Sequence, residues 1–96
     1  SMKPTTLAEF EVVVRARFPE ADFFFYESGG RFWAEIDHPK DETFRINFGL
    51  IWYVSVGDVC SGLRSGGTLN DAAESLAYVL SATVRPALAV GLDVTT

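Results

Sequence analysis

Between residues 21 and 56 the chain carries four aromatic-rich apolar segments divided by polar or glycine-containing turns, and the first and last are apolar at successive positions rather than at alternate ones. Successive side chains of a strand point to opposite sides of its sheet, so ADFFFYE (21–27) and LIWYVSV (50–56) present hydrophobic groups to both faces. Such a pattern fits strands covered on each side, and residues 21–27 accordingly read as a central strand. The two segments between them alternate. RFWAEID sets Phe32, Ala34 and Ile36 against Trp33, Glu35 and Asp37, and TFRINF sets Phe44, Ile46 and Phe48 against Thr43, Arg45 and Asn47.

The turns between these segments fix how they pair. Ser28-Gly29-Gly30 tolerates positive φ and joins the first two segments as a β-hairpin. HPKDE (38–42) is a polar turn, and Gly49 permits a tight reversal or a bulge between the third and fourth strands, which form a second hairpin.

Helical spacing appears on either side of this block. Leu7, Phe10, Val14 and Phe18 recur every three or four residues, Thr5 or Thr6 can cap the segment with Glu9 in its first turn, and Pro19 stops it. Thr68 with Asp71 caps a second helix, longer than the first, whose Leu69, Ala72, Ala73, Leu76, Val79, Leu80 and Thr83 share a side; Pro86 kinks or ends it and Gly91 ends any continuation. Residues 57–67, with four of the eight glycines, read as a long loop with room for a short edge strand around Val59.

The expected architecture is α+β and two-layered: a four-stranded antiparallel sheet of two hairpins, with an N-terminal and a C-terminal helix on one face. The 96 residues are expected to form a single domain, with no internal repeat or linker. Ser1 precedes Met2 and is set aside as a residue left by expression.

Charge and cysteine usage narrow the function classes. Thirteen acids against eight bases give a formal charge of −5, which disfavours direct nucleic-acid binding, because phosphate contacts need clustered Lys and Arg. A lone cysteine forms no internal disulfide, and neither a signal peptide nor a membrane span is legible, so a cytoplasmic location and no membrane partner are expected.

Catalytic parts are sparse. Cys60 and His38, the sole cysteine and histidine, could pair as thiol and base, but no third group is at hand to orient the imidazole, and a plain thiol is preferred. Asp37, Asp41 and Glu42 around His38 could hold a hard cation, yet the stretch lacks the spacing and glycine of a calcium loop, so a solvated turn is preferred and no metal is expected. Glu35 and Asp37 share one side of a strand with Arg45 across from them, which suits an ion network better than acid–base catalysis. No cofactor motif is present, and the chain is expected not to be an enzyme.

What remains is a surface. Two helices cover one side of the sheet, leaving Trp33, Glu35, Asp37, Arg45, Asn47 and either Trp52 or Tyr53 on the other, and mixed aromatic and charged faces of this sort suit protein contacts. The leading expectation is therefore a protein-binding module, an accessory, immunity or inhibitor factor, whose partner is another protein or a second copy in a homodimer. An alternative is a small-molecule or anion site at Arg64, Gly66, Gly67 and Thr68, where a glycine loop meets a helix N-terminus. A further alternative is an acidic mimic of nucleic acid that blocks a DNA- or RNA-binding protein, although the acids are dispersed among six arginines.

Overall fold

The computed structural model describes residues 3–37, 43–56, 63–64 and 67–83. Helix α1 (Leu7–Arg17) is followed by strands β1 (Phe24–Ser28), β2 (Arg31–Asp37), β3 (Thr43–Phe48), β4 (Trp52–Val56) and the two-residue β5 (Leu63–Arg64), and then by helix α2 (Leu69–Thr83). The strands form one antiparallel sheet in the order β1-β2-β3-β4-β5. The fold is α+β, with both helices on one face of the sheet.

Local chemistry accounts for the element ends. Thr6 Oγ1 accepts from the Glu9 amide at 3.1 Å, while the Glu9 carboxylate reaches back to the amide and hydroxyl of Thr5 at 2.8 and 2.6 Å. These bonds satisfy donors that the first turn of α1 leaves free. Its last turn closes through the Phe18 amide on the Val14 carbonyl, directly before Pro19. Between β1 and β2, Gly29 and Gly30 take φ of 60° and 75°, the pair of positive values a two-residue hairpin loop requires. That loop fixes the register Ser28↔Arg31, Tyr26↔Trp33, Phe24↔Glu35.

The core fills the space between the sheet and the helices. Phe10 and Val14 of α1, with Phe18 at its C-cap, and Leu69, Ala72, Ala73, Leu76 and Ala77 of α2 pack onto Ala34, Ile36, Phe44, Ile46, Phe48, Trp52 and Val54. Phe10 is its hub: its ring stacks on Trp52 at 5.6 Å and 18°, and meets Phe25 and Phe32 at 5.9 and 5.7 Å. Small alanines on α2 let that helix lie close to the sheet.

Four features differ from expectation. The first strand lies at the sheet edge rather than in its centre, because the chain pairs sequentially and, among the described residues, nothing returns to the far side of β1. Apolar residues at consecutive positions therefore do not report a central position here. The ladder also begins at Phe24, with Ala21 and Phe23 buried ahead of it, and β4 begins at Trp52, leaving Leu50 in the turn and 95% exposed. Lastly, the extra edge strand falls at Leu63–Arg64, whereas Val59 and the rest of 57–62 lie outside the described residues.

Candidate functional site

Strand alternation and register together build the face turned away from the helices. Two rows cross it. One runs Tyr26, Trp33, Asn47, Tyr53 and the other Phe24, Glu35, Arg45, Ser55, from β1 to β4. Asp37 continues β2 beyond the second row and is exposed, opposite Thr43.

The first row is aromatic at both ends. The rings of Tyr26 and Trp33 are parallel within 5° at 6.1 Å, and Phe24 lies on their outer side, tilted by 32° at 5.5 Å from Tyr26 and 66% exposed. Trp33 Nε1 donates to the Ser28 carbonyl at 2.9 Å, which fixes the indole plane. At the other end, the Arg31 guanidinium lies 5.5 Å from the centre of the Tyr53 ring. Gly49 makes room for that arginine, since a Cβ there would stand 3.2 Å from Arg31 Cγ.

The second row is ionic. Glu35 Oε1 accepts from Tyr26 Oη at 2.8 Å and from Arg45 Nε at 3.0 Å, so one carboxylate oxygen ties three strands together. Burial pushes the Tyr26 phenol above its usual value, and its hydrogen bond to Glu35 adds to the shift. For Arg45, burial disfavours the charge, but hydrogen bonds to Glu35 and Tyr26 outweigh it and hold the guanidinium above its ordinary range.

Asn47 Oδ1 and Ser55 Oγ are buried with no hydrogen-bond partner among the described residues, one in each row. A buried polar atom left in this state costs about 1–3 kcal/mol.

The structure brings together Trp33, Glu35, Arg45 and Tyr53, with Asp37 at the margin. Trp52 does not join them: it is 1% exposed and belongs to the core under Phe10, so of the two aromatic candidates on β4 only Tyr53 stands on the open face. Phe24, Tyr26 and Arg31 were not among the candidates, although the two-residue Gly29-Gly30 loop alone places Tyr26 opposite Trp33. Acids and arginines interleave on this face, which is not the single-sign array a mimic of nucleic acid would present.

The candidate anion residues are arranged differently. Arg64 lies on β5 in register with Tyr53, and Gly66 lies outside the described residues. Gly67 adopts φ of 93° ahead of α2. Thr68 Oγ1 accepts from the Asp71 amide at 3.1 Å and donates to Asp71 Oδ2 at 2.8 Å. An amide and the dipole at this N-terminus are thus already served by the chain's own hydroxyl and carboxylate. His38, Asp41, Glu42 and Cys60 lie outside the described residues. Among the described residues no three His, Cys, Asp or Glu side chains group closely enough to hold a metal, and no helix is long and apolar enough to cross a membrane.

No protein-family model, curated protein or solved structure matches the chain.

Proposed function

We propose that this chain is a non-enzymatic protein-binding module whose docking surface is the open face of β1–β4, centred on Trp33. The observation that carries this reading is the Phe24–Tyr26–Trp33 stack on the side of the sheet that neither helix covers. Interface centres favour Trp, Tyr and Arg, and rigid rings bury much area at little entropic cost. The Glu35–Arg45–Tyr26 network holds the neighbouring side chains in place before a partner arrives, which lowers the ordering cost of association. With Glu35 paired to Arg45, Arg31 over Tyr53 and Asp37 at the margin, the face carries charges of both signs and favours a partner that offers an apolar segment flanked by charges of both signs.

The test is photo-crosslinking in the native cell, with benzoylphenylalanine placed at position 53 on the open face or at position 78, where Tyr78 of α2 is exposed on the helical side. The expected result is a discrete adduct with another protein from position 53 that is missing from position 78. No adduct at 53, or the same adducts at both positions, would refute the proposal.

A further inference from the structure

A different surface, the free edge of β1 with the flank of α1 above it, carries a second inference. Among the described residues β1 pairs only with β2, and none of them pairs with the donors and acceptors of its other backbone edge. Exposed edges are usually blunted by lysine, proline or a bulge. Phe24-Phe25-Tyr26-Glu27-Ser28 has no lysine or proline and a single charge, Glu27, and its pairing with β2 is regular from end to end.

The charges above this edge have a self-complementary arrangement. Arg15 stands over the Phe25 ring, 4.7 Å from its centre, so the flank of α1 that carries Arg15 overhangs β1. The opposite flank faces α2, where Arg17 Nε donates to Asn70 Oδ1 at 3.2 Å. Glu11 lies one turn before Arg15 and pairs with it at 2.9 Å, both side chains being about half exposed, at 41% and 51%. Val12 beside them is 66% exposed. An acid and a base one turn apart on the same flank match another such flank only when it runs the other way, and a two-fold axis supplies that reversal.

We infer that two copies of this chain join β1 to β1 in antiparallel register about a two-fold axis near Phe25, with Glu11 of each α1 facing Arg15 of the other. A strand added about 4.8 Å beyond the edge brings its own α1 to the roughly 8–10 Å at which helices pack side by side. Pairing about Phe25 sets Phe24 against Tyr26 of the second copy and Glu27 against its Phe23, so no like charges meet along the ladder. The two five-stranded sheets become one, and the aromatic stack of each open face runs into that of its mate. Main-chain hydrogen bonds supply affinity, while the exposed charges select the antiparallel orientation. The dimer uses the backbone edge of β1 and the flank of α1, which adjoin the open face without covering Trp33, so the inference stands whether or not a foreign protein docks there.

The test is light scattering of the purified chain across a dilution series, for the native sequence, Glu11→Arg, Arg15→Glu and the double exchange. The native chain is expected at the mass of two copies. Either single reversal should weaken the dimer about tenfold or more by setting like charges together, and the double exchange should restore it. Both positions are exposed and the lost intrahelical pair contributes only a few tenths of a kcal/mol, so far-UV circular dichroism should be unchanged in all four proteins. Amide exchange across residues 24–28 gives a second readout, with every amide protected in the dimer and alternate amides fast in the monomeric variants. A native chain that is monomeric throughout, a dimer indifferent to both reversals, or a double exchange that stays monomeric would overturn the inference.

Discussion

The Tyr26 ring lies parallel to that of Trp33 across the β1–β2 pair, with 6.1 Å between centres and 5° between planes, on the side of the sheet opposite the helices. The same tyrosine donates its hydroxyl to Glu35. One residue therefore joins the aromatic and ionic rows of the face, and its substitution separates their contributions.

Tyr26→Phe keeps the stack and removes the hydrogen bond to Glu35. The expected loss is about 0.5–1.5 kcal/mol by urea unfolding, with partner affinity little changed if the ring is the anchor. A pH series adds a second readout. The folded phenol titrates above its ordinary value of 10.0, so the native state retains a proton that the unfolded chain has begun to lose. Its contribution is complete below pH 10 and disappears as pH rises through the folded value. The decline in stability above pH 10 should be shallower in Tyr26→Phe, and equal declines in both proteins would count against a partly buried Tyr26 phenol hydrogen-bonded to Glu35.

The two tryptophans should behave oppositely. Trp52→Ala empties the space beneath Phe10 and is expected to cost about 3–5 kcal/mol, whereas Trp33→Ala, on the half-buried face, should cost roughly 1–2 kcal/mol. Chemical denaturation of both variants checks the order. A Trp33 variant as destabilised as the Trp52 variant would place Trp33 in the core.

Thr6→Ala removes the acceptor for the Glu9 amide and should destabilise the protein by about 1 kcal/mol. Hydrogen bonds from the Thr5 hydroxyl and amide hold the Glu9 carboxyl below its usual value of 4.5. A lowered folded value stabilises the native state above pH 4.5, and that support is lost as pH falls through the folded value. Acid unfolding monitored by circular dichroism should lose part of its pH dependence in Glu9→Gln, and identical acid profiles would rule out the cap.

Gly29 and Gly30 both sit at positive φ, so alanine at either should cost about 1–2 kcal/mol through backbone strain. Added Cβ atoms meet nothing within 4 Å at either position, which leaves conformation as the cause. Thermal unfolding of the two variants checks this, and a neutral Gly30→Ala would mean the turn differs from the one described.

Local patterning made most of the fold legible. The β2 and β3 alternation, the Gly29-Gly30 loop and the Thr6 and Thr68 caps each act within a few residues, and each is found in the structure. What could not be read is what depends on strand order. Phe23 and Phe25 turn to the core while Phe24 and Tyr26 turn away, a split that alternation predicts, but whether β1 lay at the centre or edge depended on the whole chain's path. The choice between Trp52 and Tyr53 turned on one residue of register between β3 and β4, where Phe48↔Trp52 sends Trp52 to the helices. The place of Arg31 depends on residues of other strands and turns, Tyr53 under its guanidinium and Gly49 beside its stem.

The central claim is that the face around Trp33 is where a partner binds. The most direct measurement is calorimetric titration of the crosslinked partner, purified, into the native chain, Trp33→Ala and Phe24→Ser, with circular dichroism confirming that each is folded. The account predicts that Trp33→Ala weakens binding at least about tenfold, as loss of an aromatic anchor does, and that Phe24→Ser weakens it less. Equal affinity of native chain and folded Trp33→Ala would contradict it.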